Sequence, residues 1–296
     1  MPESNSRHIG RLSLLGATLI WGSSFIILKS TLDSVPTLWV LAFRFSGAAL
    51  LMALIGAKEL KKLDSAYLVR GLGLGAALFA AYTLQTFGLE HTTPGKNAFL
   101  TATYCVIVPF MWWLFSRKRP DAYNLAAALI CICGMALVSL DGSLTLGLGD
   151  GLTICCGFFY ALHIILTARA VEGRSPVLLS MVQFAVAAVW CWVTAPLVSP
   201  FPQGVPASAW WSIAYLCFMC TGVCFLLQTI GQKHTPPQTA SIILTLESVF
   251  GTLLSVLFYH ERLSFKTAAG FVLIFVAVLI SETKLSFLKP RSAKRA

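Results

Sequence analysis

A ten-residue sequence occurs twice in this chain, at residues 85–94 and again at residues 228–237. The first copy reads QTFGLEHTTP and the second reads QTIGQKHTPP, so six of the ten positions are identical at a constant offset in the numbering. A chance match of this length and composition is improbable, and each copy lies between the end of one apolar run and the start of the next. We therefore infer an internal duplication, which predicts that the chain folds as two related halves.

The correspondence extends beyond these two segments. The same offset places the fifth apolar run of the chain on the tenth. A slightly shorter offset aligns Trp21 with Tyr160 and Arg44 with Gln183 near the start of each half. The two halves therefore correspond over most of their length.

The sequence outside these copies is strongly apolar. Hydrophobic residues make up 57% of the 296 positions and charged residues only 11%, whereas a soluble domain carries about 25% charged residues. Apolar stretches of roughly 18–23 residues follow one another, and each is long enough to cross a hydrocarbon core of about 30 Å. The ten stretches are 11–29, 36–56, 67–89, 95–116, 122–140, 150–169, 176–198, 209–231, 237–259 and 265–282. The sequence thus predicts an all-α polytopic membrane protein with ten transmembrane helices.

The duplication divides these ten spans into two repeats of five. We assign residues 11–140 to the first repeat and residues 150–283 to the second. Residues 1–10 form a cytoplasmic N-terminal tail and residues 284–296 a basic cytoplasmic C-terminal tail. Because five is an odd number, the second repeat must enter the membrane in the opposite orientation to the first. Inverted repeats are typical of transporters, in which exchanging the shapes of the two halves opens a central site to either side in turn.

The positions of Lys and Arg predict how the chain is oriented in the membrane. With a cytoplasmic N-terminus, seventeen of the 22 Lys and Arg residues fall on the inner side, four fall on the outer side, and Arg44 lies within a helix. An excess of positive charge marks the cytoplasmic side, so both termini are predicted to be cytoplasmic. This distribution fits an anionic inner leaflet better than a nucleic acid, and we expect a multi-pass protein of the cell (inner) membrane.

Neither a cofactor nor a metal site is predicted. Cys217, Cys220 and Cys224 have one-turn helical spacing, but no His or carboxylate joins them, which favours their use as small apolar side chains. No Asp lies deep within an apolar run, and no nucleophile or phosphate-binding motif is complete. The sequence therefore indicates no catalytic residue and no enzyme.

Four short motifs stand out along the spans. They are Trp21-Gly22-Ser23-Ser24-Phe25, Arg44-Phe45, Phe99-Leu100-Thr101 and Tyr259-His260-Glu261-Arg262-Leu263. Together they resemble the drug/metabolite transporter superfamily, specifically its EamA-type ten-helix members, over essentially the whole chain. The resemblance implies transport of small metabolites or amphipathic compounds, often as export. One departure is Ser248, which follows Glu247 where the family usually has Pro and leaves open whether the ninth helix kinks there.

Arg44 and Glu247 are the two formal charges that lie deep within apolar runs. At about 1.5 Å per residue both reach the middle of the membrane, where a charge costs roughly 2.5–3.5 kcal/mol. Each should therefore face a cavity or a partner, and two interpretations stay open. Either the two side chains pair and lock the bundle, or they act on a substrate. In the second case Arg44 binds an anionic group through its planar donor fork, while Glu247 takes up and releases the coupling proton.

Aromatic and amide side chains are further candidates for substrate contact. Trp21, Tyr104 and Tyr160 can line a cavity and stack on a flat solute, although aromatic side chains in membrane helices more often face lipid or the interface. Asn97 and Gln183 are buried amides that serve either as substrate contacts or as hydrogen bonds between helices.

The duplicated segment supplies candidate gates, because its two copies are predicted on opposite faces of the membrane. In this interpretation, the tips of the third and fourth spans and of the eighth and ninth spans close the two entrances in turn. The candidate gate residues are Gln85, Gly88, His91, Gln228, Gly231 and His234. The alternative is a tight turn between neighbouring helices that serves packing alone.

These features predict a secondary active transporter that works by alternating access. We expect an exporter of amino acids or related amphipathic compounds, coupled to a proton gradient. The first alternative is a multidrug-type efflux carrier. A membrane-embedded enzyme or a channel ranks below it. The expected partners are a small-molecule solute and the lipid bilayer. The GxxxG step of Gly71 and Gly75 indicates close helix packing, either within the bundle or in a homodimer.

Overall fold

The structure is a computed structural model and describes residues 2–139, 147–259 and 264–285. Within these ranges the chain is helical and contains no strand. The motif residues 260–263 and the part of the predicted C-terminal tail beyond residue 285 lie outside the described residues.

The described α-helices are α1 (Pro2–Leu32), α2 (Thr37–Ile55), α3 (Ser65–Glu90), α4 (Pro94–Thr101), α5 (Tyr104–Ser116), α6 (Ala122–Ser139), α7 (Leu148–Ala170), α8 (Pro176–Val198), α9 (Ala207–Tyr215), α10 (Cys224–His234), α11 (Pro237–Leu244), α12 (Leu246–Tyr259) and α13 (Phe265–Thr283). A 3₁₀ segment (Ala57–Lys62) follows α2, and a π-helical segment (Leu216–Val223) joins α9 to α10.

The helices in the described ranges account for all ten predicted spans. The seven stretches that are long and apolar enough to cross a membrane are His8–Leu32, Thr37–Ile55, Ser65–Glu90, Pro94–Ser116, Leu148–Ala170, Pro176–Val198 and Ala207–His234. Two shorter apolar helices, Ala122–Leu137 and Ala268–Ser281, lie where the fifth and tenth spans are predicted. Together, α11 and α12 cover the ninth span. The prediction of an all-α membrane protein with ten transmembrane helices is confirmed.

The first helix is longer than the apolar run that predicts it. It begins at Pro2, so that residues 2–10, which are predicted as a tail, continue the helix of the first span. Polar residues can extend a helix beyond the hydrocarbon core, because the backbone hydrogen bonds are made within the helix itself. The edge of the apolar run therefore does not coincide with the end of the helix.

The fourth and ninth spans are both broken, and the two breaks occupy equivalent positions in the repeats. One helix ends at Thr101 and the next begins at Tyr104, whereas in the other repeat a helix ends at Leu244 and the next begins at Leu246. The offset that relates the duplicated segments also places Thr101 on Leu244. The broken span is therefore a property of the repeat and not of one half alone.

Threonine hydroxyls satisfy backbone groups at both breaks. Thr103 donates to the Leu100 carbonyl at 2.7 Å, and Thr245 donates to the Ile242 carbonyl at 2.6 Å. Hydroxyls that bond back to the preceding turn compete with the helical hydrogen bonds and bend helices. The ninth span breaks next to Glu247 although no proline lies there, and the Thr245 hydroxyl bonds back at the break.

Two close helix crossings join the repeats. Helix α3 crosses α7 where Gly88 meets Gly149, and α1 crosses α10 where Gly10 meets Gly231. A Cβ atom added at Gly149 would lie 2.7 Å from the Gly88 carbonyl oxygen, and one added at Gly231 would lie 3.0 Å from the Gly10 carbonyl oxygen. The offset of the duplicated segments relates Gly88 to Gly231, and the shorter offset of the first spans relates Gly10 to Gly149. The two crossings are therefore the same contact, made once by each repeat.

These crossings lie at opposite faces of the bundle. The Lys29 ammonium, near the end of α1, donates to the carbonyl oxygens of Leu89 and Glu90 at the end of α3, at 2.6 and 3.2 Å. Such a cation is favoured there because a helix C-terminus carries partial negative charge. Helices α1 and α3 therefore end on the same face. The Gly10 crossing, at the start of α1, lies on the face opposite the Gly88 crossing.

The GxxxG step of α3 packs inside the bundle. A Cβ atom added at Gly71 or Gly75 would collide with the side chains of Val182 or Val186 on α8. Close approach of backbones is the usual purpose of small residues in membrane helices. The step is therefore explained by packing of α3 on α8 within one chain.

We expect Gly75→Ala to destabilise the protein relative to Gly73→Ala. A Cβ atom at Gly75 would lie 2.6 Å from the Val186 Cβ, whereas one at Gly73 would come no closer than 3.9 Å to a neighbouring atom. Overpacking of this kind typically costs about 1–3 kcal/mol. Both variants gain the same helix propensity, so their difference isolates the packing. Thermal unfolding of the detergent-solubilised variants measures the effect, and equal melting temperatures would contradict the prediction.

Candidate functional site

A cavity lies at the centre of the bundle. Side chains from both repeats line it, and these residues are Trp21, Ser24, Phe25, Leu28, Arg44, Tyr82, Gln85, Thr101, Tyr104, Tyr160, Ile164, Phe225, Gln228, Leu244 and Glu247. Thr101 and Tyr104 flank the break between α4 and α5, while Leu244 and Glu247 flank the break between α11 and α12. Broken helices place polar backbone ends at a site within the membrane, which is how many carriers form their substrate sites.

Arg44 lines this cavity from α2 and is 1% exposed. Its Nε–H donates to the Thr221 hydroxyl, and its Nη2 donates to the Tyr82 hydroxyl at 3.3 Å. The guanidinium carbon also lies 4.7 Å from the centre of the Tyr82 ring, which gives a cation–π contact. An arginine has five N–H donors. Among the described residues these bonds use only part of the donor set, so that other donors of Arg44 stay available for an anionic group in the cavity.

Glu247 lies in the first turn of α12 and is 7% exposed. Among the described residues it forms no ion pair with Arg44, although both side chains line the same cavity. The interpretation in which these two groups pair and lock the bundle is therefore not the arrangement that the structure contains. The cavity therefore holds one guanidinium and one carboxyl group that are not paired with each other in the described part of the chain.

Aromatic rings form much of the cavity lining. Trp21 lies against Phe225 in an edge-to-face arrangement with ring centres 5.0 Å apart. Tyr160 packs against Tyr82 and Tyr104, with centres 5.7 and 6.4 Å apart. The structure thus brings together the three aromatic side chains that the sequence predicts as substrate contacts, and it adds Phe25, Tyr82 and Phe225. Such a lining offers ring faces and edges to an apolar or flat solute.

Two glutamines contribute amide groups to the cavity. Gln85 accepts a hydrogen bond from the Tyr160 hydroxyl at 2.8 Å and donates to the Thr101 hydroxyl at 3.1 Å. Gln228 is 3% exposed, and its carbonyl oxygen Oε1 has no hydrogen-bond partner among the described residues. A buried acceptor without a partner is costly. Gln228 is therefore a polar contact that a ligand can use.

The two amides that the sequence predicts as substrate contacts, Asn97 and Gln183, do not line the cavity. The Asn97 side-chain amide donates to the backbone carbonyl oxygen of Gln85 at 3.1 Å and to the Thr153 hydroxyl at 2.8 Å. Gln183 shares a hydrogen bond of 2.8 Å with the His163 ring. In both cases the amide joins neighbouring helices, which is the alternative role that the sequence leaves open.

The six candidate gate residues form three pairs that the repeat relates. They are Gln85, Gly88 and His91 at the end of α3, with Gln228, Gly231 and His234 at the end of α10. The glutamines line the cavity. The glycines form the two helix crossings, and the histidines lie where the helices end. Each copy of the duplicated segment therefore runs from the central cavity to one face of the bundle.

Several cavity residues are not among the sequence candidates. On α1 these are Ser24, Phe25 and Leu28, which share one helix face with Trp21. Helical spacing from Trp21 is a signal that could have identified them. Thr221 is different, because only the contact with Arg44 reveals its relation to the cavity.

The fold and the cavity together define a polytopic membrane protein with a central cavity, lined by aromatic and polar side chains, between two inverted repeats. A family model described as the EamA-like transporter family matches residues 8–140 and again residues 147–283. The chain belongs to this family, as its motifs predict. The two matches cover the two repeats, and the protein is a membrane transporter.

Similar proteins agree with this membership. An uncharacterized transporter of Archaeoglobus fulgidus is 30% identical over 279 residues, which are 94% of this chain and 87% of the relative. The uncharacterized transporter YetK of Bacillus subtilis is 23% identical over 287 residues, or 92% of this chain and 86% of the relative. A solved crystal structure has the same fold with a TM-score of 0.78 at 17% identity, covering 97% of this chain and 99% of the other.

We expect Asn97→Ala and Gln228→Ala to affect different properties. Loss of the two hydrogen bonds of Asn97 should lower the free energy of unfolding by about 1–3 kcal/mol and leave the KM of the folded carrier near the wild-type value. Gln228→Ala should raise KM with little change in melting temperature, because its Oε1 has no partner in the described structure. Thermal unfolding and transport kinetics of both purified variants test this. A raised KM in Asn97→Ala alone would reverse the two assignments.

Proposed function

We propose that this protein is a secondary active carrier that exports amino acids or related amphipathic compounds, coupled to a proton gradient. The observation that carries the proposal is the aromatic-lined cavity in which Arg44 and Glu247 are not paired with each other. A guanidinium suits a carboxylate, a carboxylate suits an ammonium group, and the aromatic side chains suit an apolar group. An amino acid with an apolar side chain carries all three groups.

Glu247 supplies the coupling in this proposal. A bare carboxylate is costly at membrane depth, so Glu247 binds a proton when no cation lies beside it. The ammonium group of a substrate occupies the same place and displaces that proton. Because proton and substrate exclude each other at Glu247, the carrier exchanges one for the other, and a proton gradient directed into the cell drives export.

We expect Glu247→Gln to uncouple transport from the pH gradient. In proteoliposomes, the variant should keep saturable counterflow of L-phenylalanine, with a higher KM, and lose the acceleration that a pH gradient gives the wild type. The amide has nearly the same shape but cannot exchange a proton. Glu172→Gln, at an exposed position after α7, is the matched control and should behave as wild type. Wild-type gradient dependence in Glu247→Gln would remove the proton role.

The aromatic lining also supports a second candidate, a multidrug-type efflux carrier. The same counterflow assay separates the two when L-phenylalanine is compared with its methyl ester, which lacks the carboxylate. A carrier that uses Arg44 for the carboxylate prefers the free amino acid, whereas a multidrug carrier accepts the ester equally well. Flux that does not saturate would instead indicate a channel.

We also propose that the two glycine crossings are the gates of alternating access. Each copy of the duplicated segment leads from the cavity to a crossing at one face. The Gly88 crossing is further closed by an ion pair between Lys96 and Asp150 at 2.6 Å, and Thr92 donates to the same carboxylate at 3.0 Å. In this proposal the α1–α10 crossing and both termini lie on the cytoplasmic side of the cell (inner) membrane, which the excess of Lys and Arg on that side supports.

We expect Gly88→Ala and Gly231→Ala to open the cavity to opposite sides. The added Cβ atom of Gly88→Ala would lie 2.9 Å from the Gly149 carbonyl oxygen, and that of Gly231→Ala 2.6 Å from the Leu14 Cγ, so that each crossing must separate. A cysteine introduced at Ser24 in the cavity reports access to a membrane-impermeant maleimide, added to intact cells or to inverted vesicles. Gly88→Ala should increase labelling severalfold from outside, and Gly231→Ala from inside.

Gly151→Ala is the control for the gate variants, because a Cβ atom there meets nothing within 4 Å. Labelling is measured against the parent without the cysteine at position 24, which corrects for the native cysteines. Unchanged access and normal transport in both gate variants would contradict the proposal. Increased labelling from the same side in both variants would contradict the inverted arrangement.

A further inference from the structure

The π-helical segment Leu216–Val223 makes contacts with two residues of the cavity. In a π-helix an N–H group bonds to the carbonyl five residues earlier instead of four. At the end of this segment the Cys224 N–H bonds to the Met219 carbonyl, five residues back. The Cys220 carbonyl, four residues back, accepts a hydrogen bond from the Trp21 indole N–H at 2.6 Å. The wider helical turn thus places a backbone acceptor beside a cavity aromatic.

The next residue of the segment, Thr221, contacts Arg44. Its hydroxyl donates to the Leu216 carbonyl, five residues earlier, at 2.9 Å and accepts the Nε–H of Arg44. A hydroxyl has one proton and two lone pairs, so both bonds form together with consistent donor and acceptor roles. Thr221 is 0% exposed and is not part of the cavity lining. Its contact with Arg44 is therefore made behind the site, away from any ligand.

The repeat shows that the fold does not require this π-helical geometry. The offset of the duplicated segments places the π-helical segment on residues 73–80 of the first repeat, which lie within the regular helix α3 (Ser65–Glu90). Both repeats otherwise share the crossings and the broken spans. A departure from symmetry is also present at the residue that the segment contacts, since Arg44 corresponds to Gln183 in the second repeat. The π-helical geometry therefore occurs beside the binding residues of one repeat and is not a part of the architecture that both repeats share.

We propose that Leu216–Val223 is the positioning element of the binding cavity and that Thr221 is a positioning residue for Arg44. With Nε held by Thr221 and Nη2 by the Tyr82 hydroxyl, the plane of the guanidinium is fixed from two edges. The rest of its donor fork is then presented to the carboxylate of a substrate in one orientation. This inference rests on the proposed role of Arg44 as the carboxylate-binding residue.

The test compares Thr221→Val and Thr221→Ser in counterflow assays. The probes are L-phenylalanine and phenethylamine, its analogue without the carboxylate. Thr221→Val keeps the side-chain shape and removes the acceptor, so KM for L-phenylalanine should rise about tenfold, as expected for loss of about 1.4 kcal/mol of binding. KM for phenethylamine and the maximal rate should change less than about twofold. Thr221→Ser keeps the hydroxyl and should restore KM for L-phenylalanine.

Thr18→Val is the matched control, because Thr18 is also 0% exposed and its hydroxyl donates to the Leu15 carbonyl within α1. It should leave both KM values unchanged. An equal rise of KM for both probes in Thr221→Val, or no rescue by Thr221→Ser, would overturn the inference. If Thr221→Val does not fold, Thr221→Ala carries the same prediction. If Thr221→Val and Thr221→Ala both fail to fold while Thr221→Ser folds normally, the hydroxyl is required for stability. That result would also overturn the inference.

Arg44→Lys separates this inference from the proposed function. A rise of KM for L-phenylalanine in Arg44→Lys with no rise in Thr221→Val would overturn the positioning role and leave the carboxylate-binding role of Arg44 standing. An unchanged KM in Arg44→Lys would overturn the carboxylate-binding role itself.

Discussion

A charged side chain in the middle of a membrane must be surrounded by polar groups, because hydrocarbon offers it none. Arg44 meets this requirement through the hydroxyls of Thr221 and Tyr82 and through the Tyr82 ring. These contacts come from the second and the first repeat, so that the guanidinium lies where the two halves meet. The cavity, the aromatic lining and the broken helices are all arranged around this place. The requirement to solvate one buried charge thereby locates the site.

Symmetry explains how such a site can be reached from both sides. The crossing at Gly88 and the crossing at Gly231 are equivalent contacts at opposite faces, and in both the lack of a glycine side chain lets two helices approach closely. Close contacts of this kind depend on small residues. A chain built from two inverted copies can therefore exchange the conformations of its halves while the central site stays in place.

The sequence predicts those properties that depend on periodicity and duplication. Length and hydropathy are sufficient for the ten spans, and the repeated segment is sufficient to indicate two halves. Arg44 and Glu247 are recognisable because charges are rare in apolar runs, and the structure brings them to one cavity. Asn97 and Gln183 show where this reasoning ends. An amide in a membrane helix bonds either to a ligand or to a neighbouring helix, and the direction of the side chain that decides between them is a tertiary property.

The break at Thr245 and the π-helical turn around Thr221 also cannot be predicted from the sequence, because they too depend on tertiary contacts. Both depend on which carbonyl a hydroxyl reaches, Ile242 in one case and Leu216 in the other, and threonine in a regular helix makes similar bonds without altering the backbone hydrogen bonds. The break recurs in both repeats, as expected for a feature of the shared architecture. The π-helical turn occurs in the second repeat, beside residues that differ between the halves. In the proposed mechanism, the symmetric features of this molecule serve its movement, and the substrate-binding chemistry lies where the symmetry is lost.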